Sequence, residues 1–307
     1  MKVVNLGSCN IDYVYSLDHI VAEGETPSTY GMEIFPGGKG LNQSIAMARA
    51  GLNVYHAGCI GHDGELLLDV MKNSNVDISY VKMNNIKNGH AIIQGASNGE
   101  NSIFLYQGSN WSFTTDYIDS VLNGMSSGDI IVLQNEINYV DYIIDEAYKK
   151  QINIVLNPSP YDETISKIDL NKITYLLLNE VEAQGYTGCS DYSESLKFFK
   201  DKYPSLKVVL TLGGQGCVYS DEKQEIYQPA FYVDVVDTTA AGDTFTGYFV
   251  AEIAGGTELS KVLRKASAAS ALSVSRKGAA PSIPCKKEVE AALLKLKAVE
   301  KIDLRGI

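Results

Sequence analysis

Residues 129–160 read DIIVLQNEINYVDYIIDEAYKKQINIVLNPSP, a short apolar run, a helical stretch and a second short apolar run. Strands of a parallel sheet are buried on both faces, so they read as continuous apolar segments, as IIVL (130–133) and VVLTL (208–212) do. The unit recurs along the chain. KVVNLG (2–7), NVYHAGCIG (53–61), YLLLNE (175–180) and KVVLTLGG (207–214) are strand-like, with helical segments such as GELLLDVMKNSN (64–75) between them. This alternation predicts an α/β fold, a mainly parallel central sheet with helices on both faces.

Two stretches break the pattern. Residues 12–36 and 90–108 read as strand pairs, YVYSLDHI with STYGMEIF and HAIIQGAS with SIFLYQG, the second joined at Asn98-Gly99, a strong hairpin signal. Strands inserted into an α/β domain need a second surface for their apolar side, which suits a small β-lid, a dimer contact or both. Beyond about residue 242 the chain reads as helical apart from a break at Pro281 and Pro284. The expectation is one α/β domain over residues 1–307 carrying the lid strands as insertions.

The 26 Lys and Arg against 37 Asp and Glu give a net charge of −11, with no basic cluster to track a phosphate backbone, so small-molecule partners are expected rather than nucleic acid. Cys9, Cys59, Cys189, Cys217 and Cys285 are scattered, with no C-x-x-C pair, as reduced cysteines of a cytoplasmic protein would be. His19, His56, His62 and His90 have no ligand spacing. No apolar run approaches the roughly 18 residues of a membrane span. Neither a G-x-x-x-x-G-K-[ST] loop nor a strand-following G-x-G-x-x-G occurs, so neither a P-loop nor a dinucleotide-binding fold is indicated.

The stretch DTTAAGDTFTG (237–247) passes into a helix through small residues that let a ligand approach the backbone, and a helix start offers unpaired N–H groups. Asp243 in that first turn is either a helix cap or a general base beside an anion hole; Ala240, Ala241 and Gly242 in succession favour the base. Asn10 and Asp12, two apart on one side of a strand, pair donor and acceptor groups suited to a polyol. In GGKGLNQSIAMARAG (37–51), glycines let main chain close over a substrate while Asn42 either caps the helix or offers its amide to a hydroxyl; Lys39 is a loop charge of open role. Taken alone, TLGGQG (211–216) reads as a turn, and Glu180 and Glu182 as a solvated helix start.

GSCNID (7–12), GGKGLNQSIAMARAG, NPSP (157–160), NEVE (179–182), TLGGQG, DTTAAGDTF (237–245) and RKGAAPSIP (276–284) together resemble, in order and spacing, the ribokinase family of carbohydrate kinases, the PfkB group. The resemblance implies a three-layer α/β/α domain with a β-lid. It assigns Asp243 as base and the backbone of Ala240, Ala241 and Gly242 as the hole for the γ-phosphate. Asn10, Asp12, Gly38, Lys39, Asn42 and Glu136 fall at sugar-binding positions. Asn179, Thr211, Gly213, Gly216 and Ser267 fall at ATP-binding positions, and Glu182 at that of a water-held Mg²⁺. Asp237, Thr239, Ser273, Arg276, Gly278 and Ser282 fall around a monovalent cation, K⁺ by analogy. Trp111, Asn135, Ile137 and Ser267 depart from the usual pattern. The implied activity is transfer of the ATP γ-phosphate to the 5-hydroxyl of ribose, with another furanose (nucleoside, deoxyribose or fructose derivative) or a non-catalytic sugar binder as the alternatives, in a homodimer formed through the lid.

Overall fold

The computed structural model describes residues 1–299. In chain order the regular elements are β1 (Val3–Leu6), β2 (Asn10–Leu17), β3 (Gly31–Gly37), α1 (Lys39–Arg49), β4 (Val54–Ala57), β5 (Cys59–Ile60), α2 (Glu65–Asn73), β6 (Lys82–Met83), β7 (His90–Ala96), β8 (Asn101–Tyr106), α3 (Thr115–Asn123), β9 (Ile130–Gln134), α4 (Val140–Lys149) and β10 (Asn153–Asn157). The remainder are β11 (Tyr175–Asn179), α5 (Glu180–Thr187), α6 (Tyr192–Lys202), β12 (Lys207–Thr211), β13 (Gly216–Ser220), β14 (Glu225–Pro229), α7 (Ala241–Ala254), α8 (Leu259–Val274) and α9 (Lys286–Leu293).

The main sheet runs β14-β13-β12-β11-β10-β9-β1-β4. Its strands from β4 to β12 are parallel, and β13 and β14 add an antiparallel edge. The apolar runs divide their side chains between two cores. Val132, Val155, Leu177 and Val209 face a core built with α1, α2, α7, α8 and α9. Ile131, Leu133, Ile154, Leu156, Leu178 and Leu210 face the other, built with α3 to α6. Burial on both faces is why these strands carry no polar alternation.

The lid is one four-stranded sheet, β3-β2-β7-β8. Both antiparallel pairs expected from sequence are present, over residues 10–37 and 90–106, and a parallel β2–β7 pairing fuses them. Gly99 closes the second hairpin with φ 89°, a left-handed conformation that costs glycine little. Met32, Ile34, Phe104 and Tyr106 stand about half exposed on this sheet. Because β2 follows β1 almost directly and β3 runs straight into α1, the lid joins the main domain at Asn10 and Gly37, which are partners in register.

Candidate active site

Two helices meet at their N-terminal ends to make the site. The turn before α7 is held by Asp237, whose Oδ1 accepts the N–H and hydroxyl of Thr239 and whose Oδ2 accepts the Gly278 N–H at 2.8 Å. Ala240 then takes φ 59° at the N-cap, an uncommon conformation for a residue with a Cβ. No side chain caps α7. The Ala241 N–H is spent on the Thr238 carbonyl, so the orphan amides of the first turn that remain for a ligand are those of Gly242 and Asp243.

Opposite, Gly38 (φ 92°) starts α1, and Gly40 lies so close to the first strand that a Cβ on it would sit 2.4 Å from the Ser8 nitrogen. Leu41 N donates to the Ser8 carbonyl at 2.9 Å, which pins the loop down. Glu136 completes the junction: its Oε2 accepts the Lys39 N–H at 3.0 Å and the Ser8 hydroxyl. Asn10 Oδ1 accepts from Asn110 Nδ2 at 2.6 Å. Asp12 packs its carboxylate over Gly37, leaving no room for a side chain there.

Asp243 is 7% exposed, and both its carboxylate oxygens take amide donors from α1: Asn42 Nδ2 at 3.0 Å and Gln43 Nε2 at 2.9 Å. This brings the two sequence motifs together across 200 residues. Asn42 Oδ1 is buried without a protein partner, an acceptor that a ligand hydroxyl can satisfy.

The surrounding charges act strongly on one another. Burial, reinforced by the carboxylates of Glu136 and Asp243 and partly offset by Lys39, pushes Asp12 up to about 7. Burial would depress Lys39, but Asp243, Glu136, Glu182 and Asp12 together hold it above the ordinary lysine value. Away from the site, burial pushes His56 down to about 4, its ring between Ser44 Oγ and Cys9 Sγ. The two titrations oppose each other. Folded Asp12 keeps a proton the unfolded chain releases near its ordinary 3.8, so its contribution to stability declines as pH rises to about 7. Folded His56 refuses a proton the unfolded chain takes below 6.5, so its contribution declines as pH falls toward about 4. Asp12→Asn is therefore expected to raise the urea midpoint over the parent little at pH 4 and progressively more up to pH 8; a midpoint difference independent of pH would remove this account.

A cavity of about 230 Å³ opens beside Asp243, lined by Lys39, Asn157, Asn179, Glu182, Thr211 and the Ala240–Gly242 turn. Asn179 and Glu182 form a capping box on α5: Asn179 Oδ1 accepts the Glu182 N–H at 2.9 Å, and Glu182 Oε2 accepts the Asn179 N–H at 3.0 Å. Glu180 is solvated, as a helix-start acid would be, but Glu182 is 5% exposed and faces the cavity rather than water. Among the described residues no group of three or more His, Cys, Asp or Glu could hold a metal by itself.

Residues 1–286 match the family described as pfkB family carbohydrate kinase. The chain belongs to the PfkB family of carbohydrate kinases. This PfkB chain is 35% identical over 293 residues to a ribokinase of Bacillus subtilis (strain 168), covering 94% of this chain and 98% of that one. Among solved structures it is similar to Thermotoga maritima ribokinase (TM-score 0.86, 31% identity, 96% of this chain and 99% of that one). It is also similar to an Arabidopsis thaliana ribokinase complexed with ribose and ATP (TM-score 0.83, 30% identity, 96% and 99% covered).

Of the positions assigned by the PfkB resemblance, Lys39, Asn42, Glu136, Asn179, Thr211, Glu182 and Ala240 to Asp243 converge on the cavity or on residues that line it. Gly213 instead opens the 3₁₀ turn between β12 and β13 and Gly216 closes it; Gly216 (φ 120°) has no room for a Cβ, which would meet the Gln228 carbonyl at 2.1 Å. Ser267, in the middle of α8, lies against Cys217 and is outside the cavity lining. Ser273 and Ser282 are buried with their hydroxyls 3.1 Å apart, and the Ser273 carbonyl already accepts the Arg276 N–H. Trp111 is 60% exposed and is not among the residues that line the cavity. Sequence reasoning passed over Gln43, Gln134 and Asn5; Asn5 alone is a polar residue inside an apolar run, a pattern that marks buried hydrogen bonding, while Gln43 lies between Asn42 and Ser44 and Gln134 ends its strand beside Asn135 and Glu136.

Proposed function

We propose that this chain is an ATP-dependent sugar kinase that transfers the γ-phosphate to the 5-hydroxyl of D-ribose, working as a single α/β domain with a β-lid. The observation that carries the reading is the meeting of Asp243 with Asn42 at the mouth of a cavity rimmed by amides. Ribose is the substrate of choice because Asn10, Asp12, Asn42 and Glu136 bring polar side chains together at the lid junction, and none of these offers an aromatic wall for a nucleobase. The ribose and ATP named for the Arabidopsis relative support the same pair.

In this reading the buried polar cluster around Asp12 and Asn42 orients the sugar with its 5-hydroxyl toward Asp243. Asp243 takes the hydroxyl proton as the oxygen attacks the γ-phosphorus in line, and the Gly242 and Asp243 amides at the α7 start receive the charge of the transferring group. Lys39, held fully charged by its carboxylate neighbours, offsets negative charge where phosphate and carboxylates meet. ATP phosphates lie along Asn179 and Thr211.

Two ions fit the residues present. A solitary buried acid, Glu182, beside Asn179 suits Mg²⁺, which keeps most of its waters and takes few protein carboxylates; when bound it neutralises phosphate charge. Asp237 with the oxygen-bearing segments at Thr239, Ser273, Arg276, Gly278 and Ser282 suits a hard monovalent cation such as K⁺: the carboxylate holds the Thr239 and Gly278 segments, and Ser273 is hydrogen-bonded to Ser282 and Arg276. No described helix is long and apolar enough to cross a membrane. With the scattered cysteines, this is the basis on which we place the chain in the cytoplasm. We assign the half-exposed lid residues Met32, Ile34 and Phe104 to contact with the lid of a second copy, a mass that sedimentation reads directly.

The test is ATP consumption with Mg²⁺ and K⁺ across ribose, 2-deoxyribose, fructose, adenosine and inosine. Selective turnover of ribose is expected. Selective turnover of a nucleoside or of fructose would overturn the substrate assignment, and silence across the panel would overturn the kinase reading.

A further inference from the structure

Asp243 could be held in place by Asn42 alone, yet a second amide reaches it through a chain of buried side chains that the proposed chemistry does not use. Gln43 Nε2 donates to Asp243 Oδ1 at 2.9 Å and to Asn157 Oδ1 at 3.2 Å. Gln43 Oε1 accepts from Gln134 Nε2 at 2.7 Å, and the same Gln134 nitrogen donates to Asn5 Oδ1 at 2.9 Å. Asn5, Gln43 and Gln134 are each no more than 1% exposed.

A neutral amide can turn over and offer either its NH₂ or its carbonyl. Here both ends of the chain forbid it. Asn157 Nδ2 donates to the Leu177 carbonyl at 2.9 Å, and a backbone carbonyl only accepts, so Asn157 must show its oxygen to Gln43. At the far end, Asn5 Nδ2 donates to the Gly40 carbonyl at 2.7 Å and to Ser44 Oγ, so Asn5 must show its oxygen to Gln134. Gln134 then has its NH₂ directed at Asn5 and Gln43 together. Gln43 is left with one orientation, carbonyl toward Gln134 and NH₂ toward Asp243. Turned over, it would set a carbonyl lone pair against a buried carboxylate.

We propose that Gln43, its amide orientation locked by Gln134 and Asn5, is a positioning residue that fixes the Asp243 carboxylate in the geometry needed to receive the sugar hydroxyl proton. The proposal rests on the reading of Asp243 as the base. Asn42 leaves its Oδ1 for a ligand hydroxyl, whereas both amide atoms of Gln43 are engaged, Nε2 by Asp243 and Asn157 and Oε1 by Gln134. The locked amide thus sets the carboxylate independently of substrate.

The experiment compares Gln43→Met, Gln134→Met and Asp243→Asn in the full-length chain, measuring kcat, the KM of ribose and of ATP, and ribose affinity by calorimetry. Methionine keeps the volume and removes the amide. Gln43→Met is expected to lower kcat about 10- to 100-fold with both KM values within about 3-fold of the parent, as for a misplaced catalytic group. Gln134→Met removes the donor to the Gln43 carbonyl and leaves the Gln43 amide in place, its orientation held by Asn157 alone; it is expected to lower kcat by a smaller factor with the same unchanged KM values, and it carries the test if Gln43→Met does not fold. A folded variant with kcat within 2-fold of the parent, or one whose loss lies wholly in KM, overturns the positioning role when Asp243→Asn is itself slow. Near-parental turnover in Asp243→Asn overturns the base assignment instead.

Discussion

Asp243→Asn is expected to lower kcat by about 10²- to 10⁴-fold while ribose and ATP dissociation constants stay within a few-fold of the parent. The substitution removes the proposed proton acceptor and keeps the shape. It also introduces an NH₂ group where the carboxylate had received two donors, Asn42 Nδ2 and Gln43 Nε2. Asn42 can absorb this by turning its amide over, because its Oδ1 is unpartnered, whereas Gln43 is locked. The variant should therefore fold and bind, which separates loss of the base from loss of the site. The readouts are steady-state turnover and calorimetric binding. Turnover near the parental rate would show that another group, or none, takes the proton.

Gly247→Ala is expected to lower both stability and turnover through the contact of α1 with α7. A Cβ at position 247 would lie 2.3 Å from the Ala46 Cβ and 2.9 Å from both Gln43 O and Met47 N, so neither helix offers a flexible group that could yield. Overpacking of this kind costs about 1–3 kcal/mol. The greater loss is functional: Asp243 stands one turn before Gly247 and Asn42 and Gln43 one turn before Ala46, so prying the helices apart lengthens the hydrogen bonds to the carboxylate. Turnover should fall by about 10-fold or more, in line with the cost of a displacement near 1 Å. Ala46→Gly in the same chain removes the nearest clash and should restore part of both losses. Urea denaturation and turnover of the single and double variants check it; additive losses in the double variant would show that the two positions do not press on each other.

What was legible in the sequence was local. The runs IIVL and VVLTL announced strands because their burial on both faces imposes apolar residues at every position, and Asn98-Gly99 announced its hairpin because that turn needs a positive φ. Asp243 stood out through the small residues before it. Contacts between distant segments left weaker traces. The β2–β7 pairing that makes the lid one sheet joins residues about eighty apart, and nothing in either strand encodes its partner. The antiparallel edge, β13 and β14, went unread because GCVYS and EIYQP are short and follow a glycine turn with two equally physical explanations. The structure shows that the turn needs Gly216 whether or not a nucleotide lies near it, so the glycine carries no separate message about ATP. Gln43, Gln134 and Asn5 are separated by 91 and 129 residues, and only the fold reveals that their amides form a single chain.

Phosphorus NMR of the product made from ribose, ATP, Mg²⁺ and K⁺ bears most directly on the central claim, because it reports both the transfer and the hydroxyl that received it. The account predicts a phosphomonoester whose phosphorus couples to the two methylene protons of C5, with ADP formed in equal amount. A phosphorus coupled to the single anomeric proton of C1, or ADP released as free phosphate accumulates with no sugar ester, would contradict it.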